Sequence, residues 1–203
     1  MQSLIDGVRH FQREVFPAKA DLFTWLSTAQ HPTALFIGCS DSRVPPELIT
    51  SAEPGELFVI RTAGNLVPAY APGAGDGVTA SIEYAVAELG VTDIVVCGHS
   101  ACGAMTALAQ GHDLSAVPAV AGWLRNAESS RARAESTAPN GVQVADLVRW
   151  NVAAQLTNVA THPAVAKALA ARTLTLHGWV FDIATGAVED IDTGTGEFTS
   201  KGL

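Results

Sequence analysis

Three short runs that are apolar throughout constrain the fold of this chain more than any other feature. They are Ala34-Leu35-Phe36-Ile37, Leu57-Phe58-Val59-Ile60 and Ile94-Val95-Val96-Cys97. Each has the length of a strand, and an unbroken apolar strand suits a sheet buried on both faces. A fourth run, from Leu174 to Phe181, is rich in β-branched and aromatic residues and reads as the final strand, with Ala184-Thr185-Gly186 turning towards a ragged tail. Helical patterns separate the runs. Pro45-Pro46 suits the first turn of a short helix through Ile49, because a helix start has no use for the missing N–H groups. Ile82, Ala85, Val86 and Leu89 give one face to a helix from Val78 to about Leu89. Residues 102–110, 117–136 and 142–160 also read as helical, with Ala138-Pro139-Asn140-Gly141 as a breaker, and His162-Pro163 opens a short Ala-rich helix. Residues 63–77, rich in Gly, Pro and Ala, read as a loop.

Strands alternating with helices predict an α/β fold: a mainly parallel central sheet of about four parallel strands plus an edge strand, covered by helices. Ahead of it, Leu4, Ile5, Val8, Phe11, Val15 and Phe16 give residues 3–16 a helical apolar stripe, and a second helix is expected over 17–29. That stripe has little to pack on within one copy of such a layout. The N-terminal helical arm is therefore expected to wrap a partner, giving a homodimer able to pair into a tetramer. The 203 residues suit a single domain, with an arm over 1–29 and a core over 30–190.

Charge excludes one class of partner. The net charge is −8 with no Lys/Arg run, whereas a nucleic-acid groove needs clustered positive charge. No stretch approaches the apolar length of a membrane span. The N-terminus carries Asp6, Arg9, Arg13 and Glu14 in place of a signal-peptide core, and three cysteines make no disulfide framework, so a cytoplasmic location is expected.

Two of the predicted strands end in chemistry. The first runs into Cys39-Ser40-Asp41-Ser42-Arg43, the third into Gly98-His99-Ser100-Ala101-Cys102-Gly103. Open α/β sheets bind ligands beyond the carboxyl ends of their strands, so the two motifs should meet at one edge. Two thiolates and an imidazole suit zinc, whose catalytic sites use three protein ligands and leave a fourth position for water. Zn2+ on such a shell carries no net charge and activates water less strongly than it would on three neutral ligands, so the surroundings must help. Asp41 is placed to hydrogen-bond the water or to ligate the metal itself, and the planar fork of Arg43 suits clamping that carboxylate. Cys97, inside a strand, reads as a small buried hydrophobe. His10, His31, His112 and His162 read as surface, turn or cap residues, and His177 as structural. Trp25, Trp123, Trp150 and Trp179 read as core or interface packing.

Over about Gln30 to Val188 the chain resembles the β-class carbonic anhydrases, through the ordered segments CSDSRVPPE, GELFVIRTAGNLV, SIEYAVAELGV, VVCGHSACGA and LHGWVFDI. The resemblance implies one Zn2+ per subunit on Cys39, His99 and Cys102, with Asp41 and Arg43 as a catalytic dyad. It implies reversible hydration of carbon dioxide to bicarbonate and a proton by zinc-bound hydroxide. It further implies that two subunits form each site, with Gln30 donating to bicarbonate and Phe58 and Tyr84 lining an apolar pocket. Ala63, where some relatives carry valine, and Gly103, which follows the second cysteine, complete the substrate residues. Some relatives hold an inhibitory bicarbonate on a Trp, an Arg and a Tyr; Arg61 matches the Arg, but Phe36 and Phe181 replace the other two and bring no N–H or O–H. Two other readings stay open: a hydrolase of carbon disulfide or carbonyl sulfide on the same fold, and a noncatalytic zinc-stabilised interaction protein.

Overall fold

A computed structural model of the chain describes residues 1–73, 75–138 and 141–191, and the backbone of 201–202. The chain divides into two compact units, Met1–His31 and Pro32–Leu203. In the first, α1 (Gln2–His10) runs through a π-helical turn (Phe11–Val15) into α2 (Phe16–Ala18), and α3 (Ala20–Leu26) follows. Phe11, Phe16 and Phe23 pack ring against ring, with centroids 5.3 to 6.1 Å apart. The stripe of α1 stays exposed, and none of its residues is buried.

The second unit carries one sheet, ordered β2-β1-β3-β4-β5-β6. Strands β1 (Ala34–Cys39), β2 (Leu57–Thr62), β3 (Asp93–His99) and β4 (Thr175–Phe181) are parallel, as their apolar runs predict. Beyond these four parallel strands comes the expected edge strand, which runs antiparallel. The chain turns at Asp182–Ala187 and returns antiparallel as β5 (Val188–Asp190), against which Lys201–Gly202 forms β6. Asp182 makes the turn: its carboxylate accepts the N–H groups of Ala184 and Thr185. The expected breaker falls partly outside the described residues, since 139–140 are not among them.

Between the strands lie α4 (Pro46–Thr50), α5 (Gly77–Glu83) extended by a π-helical turn (Tyr84–Glu88), α6 (Gly103–Ala109), α7 (Pro118–Leu124), α8 (Glu128–Thr137), α9 (Val144–Ala160) and α10 (Pro163–Ala170). Asp76 starts α5 by accepting the N–H groups of Val78 and Thr79, the work of an N-cap. The expected loop over 63–77 contains a tight 3-10 turn at Ala63–Asn65.

Period-two alternation sorts the strand side chains. Leu35, Ile37, Ile94 and Val96 point into the main core with Ile82 of α5, Ala85 of its π-helical extension, Val152, Leu156 and Val159 of α9, and Val165 of α10. The opposite set, Phe36, Val95 and Cys97 with Leu57, Val59, Trp179 and Phe181, forms a separate cluster of strand residues. Helix α9 lies close on β3 and β4 because Gly98 and Gly178 leave room: a Cβ on either would stand 2.9 Å from a side chain of α9. Among the described residues no helix is long and apolar enough to cross a membrane.

Candidate metal centre

Parallel register brings the two motifs together. β1 and β3 are neighbours, so Cys39 at the end of one lies beside His99 at the end of the other. Past His99 the backbone must turn back within two residues to start α6, and Ala101 does so with φ of 54°, a strained value for a residue with a Cβ. Cys102 then sits at the N-cap of α6. Cys39, His99 and Cys102 are all buried, and their Sγ, ring-nitrogen and Sγ atoms lie within 4.8 Å of one another.

The tautomer of His99 follows from its partner. Nδ1 lies 2.9 Å from the Ser100 carbonyl, which can only accept, so Nδ1 carries the proton and Nε2 offers a lone pair. That Nε2 is buried and has no hydrogen-bond partner. A buried lone pair left unmatched is costly, and a cation between the three ligands would match it. The sulfurs point the same way. A hydrogen bond from Cys102, helped by the Gly64 amide and opposed by burial, pulls the Cys39 thiol down. The shared proton and burial push Cys102 up. One thiolate thus forms readily, and the second proton is the one a divalent cation would displace. The donor set fits a soft or borderline metal. By contrast Cys97, pushed up to about 12 by burial, is the inert thiol expected.

Beside the cluster Asp41 is clamped by Arg43. Arg43 Nε and Nη2 donate to the two carboxylate oxygens at 2.9 and 2.7 Å, and its backbone N–H donates at 3.0 Å. This holds the Asp41 carboxyl well below the usual carboxylate range. The clamp is anchored in turn, since Arg43 also donates to the Ala101 carbonyl at 3.1 Å. Asp41 Oδ2 stands 3.8 Å from His99 Nε2, at the mouth of the cluster.

The remaining residues expected at the substrate site are spread out. Phe58 and Tyr84 meet, with ring centroids 6.0 Å apart, and Tyr84 is 45% exposed. Ala63 and Gly103 are exposed next to the cluster's own loops, and Gln30 is exposed in the N-terminal unit. Arg61, which matches one residue of the inhibitory pocket expected to be absent, donates to the carbonyls of Cys39 at 3.1 Å and Asp41 at 2.6 Å and so braces the Cys39–Asp41 loop. His162 is a cap residue as expected, but a buried one, with Nε2 at 3.1 Å from the Pro68 carbonyl. His177 is paired with Asp93 at 2.8 Å. Trp150 packs under the Arg133 guanidinium.

Sequence reasoning missed the support beneath the cluster. Gly64, at φ of 74°, turns its amide towards Cys39 Sγ at 3.4 Å. Asn151, Gln155 and Asn158 of α9 hold the backbone of Gly64 and Val67. A signal was present: these three amides recur at helical spacing on a helix whose neighbouring residues are apolar.

Residues 34–188 match the family model described as carbonic anhydrase. A carbonic anhydrase of Pseudomonas aeruginosa is 56% identical over 202 residues, covering 98% of this chain and 91% of that protein. The solved structure of the β-carbonic anhydrase CcaA superposes with a TM-score of 0.93 at 41% identity over 99% of both chains. One of two tetrameric β-carbonic anhydrases from Sordaria macrospora gives 0.75 at 32% identity, over 94% of this chain and 92% of that one. Sequence, fold and ligand geometry agree, and the chain belongs to the β-class carbonic anhydrase family.

Proposed function

We propose that this chain hydrates carbon dioxide reversibly to bicarbonate and a proton at a zinc ion held by Cys39, His99 and Cys102. The observation that carries the reading is the convergence of two thiols and an orphaned imidazole nitrogen beside a carboxylate kept ionised by Arg43. When bound, the metal would supply activation of water at neutral pH. The protein's own groups do the rest. Asp41 is an acceptor that takes a hydrogen bond from the attacking oxygen and turns its lone pair towards the carbon of the substrate. Arg43 keeps Asp41 anionic and aimed. The proton released from water leaves to buffer.

The resemblance supports a site completed by a second subunit, with Phe58 and Tyr84 as its apolar wall, Gln30 as the donor to bicarbonate, and Ala63 and Gly103 at its edge. The contact of Phe58 with a half-exposed Tyr84 supports this, as does the exposed stripe of α1, which suits an arm that buries itself on another copy. A homodimer, paired into a tetramer as in the Sordaria relatives, is the assembly proposed. A cytoplasmic location agrees with three free cysteines. The inhibitory bicarbonate pocket is proposed to be absent: Arg61 is spent on two carbonyls, and Phe36 and Phe181 belong to an apolar cluster.

Stopped-flow hydration of carbon dioxide tests the reading. The zinc-loaded protein should be active, and both Cys39→Ser and complete zinc removal should abolish activity. Turnover that survives both would refute it.

A further inference from the structure

One peptide unit joins Trp123 to the sulfur of Cys39. The indole N–H of Trp123 donates to the Ala63 carbonyl at 2.9 Å, and the N–H at the other end of that peptide, on Gly64, donates to Cys39 Sγ at 3.4 Å. The next peptide is pinned as well, since Asn151 Nδ2 donates to the Gly64 carbonyl at 2.9 Å. Asn151 is itself held, accepting from Ser130 Oγ at 3.2 Å and Gln155 Nε2 at 3.0 Å.

The backbone here needs holding. Gly64 and Asn65 are both left-handed, at φ of 74° and 50°, so the turn cannot rely on regular helical or sheet bonding. A side chain on Gly64 is excluded by more than φ, because a Cβ would stand 3.0 Å from Ala104 Cβ and 3.2 Å from Met105 Cε. A peptide whose carbonyl accepts a hydrogen bond is polarised and donates more strongly through its N–H. Donors to a ligand sulfur draw charge from it, and such outer partners tune a metal site as well as orient it.

We infer that Trp123 is a positioning residue of the metal centre: through the Ala63–Gly64 peptide it aims and strengthens the hydrogen bond to Cys39 Sγ, lowering the charge that this thiolate passes to the metal. The inference rests on the metal reading above and goes beyond it, since Trp123 reaches the ligand sulfur through an intervening peptide. Asn151 locks the same turn from the other side.

The test replaces zinc by Co2+ in the full-length protein and reads the sulfur-to-cobalt charge-transfer band. Trp123→Phe and Trp123→Tyr keep an aromatic ring but lose the indole N–H, and Trp123 is partly exposed, so neither variant opens a sealed core. With less charge withdrawn from Cys39, the band should move to longer wavelength in both variants, at full cobalt content and with cooperative unfolding retained. Metal affinity, read by competition with a chromophoric chelator, should change by up to about tenfold. A tryptophan that merely fills space would leave the band where it is. Bands unmoved in both variants would overturn the inference while leaving the metal centre intact. A wild-type protein with no thiolate-to-cobalt band would overturn the metal reading and this inference with it.

Discussion

Replacing Asn151 by leucine tests whether the buried amide ladder of α9 carries the turn beneath the Cys39-His99-Cys102 cluster. The two side chains are similar in size, so the change removes hydrogen bonds with little change in volume. Three bonds disappear: to the Gly64 carbonyl at 2.9 Å, from Ser130 Oγ at 3.2 Å and from Gln155 Nε2 at 3.0 Å. Gln155 keeps a second acceptor, the Asn126 carbonyl at 3.3 Å, so its loss is partial. Gly64 and Ser130 are buried, and each orphaned group costs about 1–3 kcal/mol. Burying leucine in place of an amide offsets part of this. A net loss of roughly 2–4 kcal/mol is expected, which for a domain of this size lowers the melting temperature by roughly 5–15 °C. Urea and thermal unfolding at one fixed protein concentration measure it, because assembly stabilises the folded state by mass action. Asn151→Leu within about 0.5 kcal/mol of wild type would refute the reasoning, since surface changes give no more than that.

Acid should expose the Asp41–Arg43 clamp. The folded carboxyl of Asp41 is depressed by Arg43, so its contribution is complete above the unfolded value of about 3.9 and fades as pH falls through the lower folded value. The stability gap between wild type and Arg43→Gln, from urea melts across pH, should be constant near neutrality and narrow below about pH 4; a gap that widens there would contradict the assignment. Gly178→Ala puts a Cβ 2.9 Å from Leu156 Cδ1 and 3.0 Å from Val152 Cγ1, and calorimetry should find a loss of about 1–3 kcal/mol from overpacking under α9. Ala101→Gly should do the reverse. Relief of the left-handed φ, about 1–2 kcal/mol, exceeds the added unfolded-state entropy, so urea denaturation should show a gain of about 0.5–1 kcal/mol.

Much of the site was legible because its residues announce themselves. Cys39 and His99 end apolar strands, and the register of β1 with β3 carries that ending directly into proximity. Asp41 and Arg43 are two residues apart, so their pairing is local. The parallel strands were equally legible, because burial on both faces leaves a run with no polar alternation. The short β5 was not. Three residues, Val188–Asp190, carry no periodicity, and their pairing depends on the turn built by Asp182.

The amino-acid order by itself determined the parallel strands, the Cys39-His99-Cys102 group and the Asp41–Arg43 pair, since each rests on residue type and near-neighbour spacing. Only the tertiary structure decided what supports them. Trp123, Asn151 and Gly64 lie far apart in the chain, and their convergence on Cys39 depends on how closely α9 and α7 approach the turn after β2. The bracing role of Arg61 likewise became visible only once its donors were seen to meet the Cys39 and Asp41 carbonyls. Hydrogen bonds between distant segments are short-ranged and directional, so sequence spacing supplies the donors while packing chooses their acceptors.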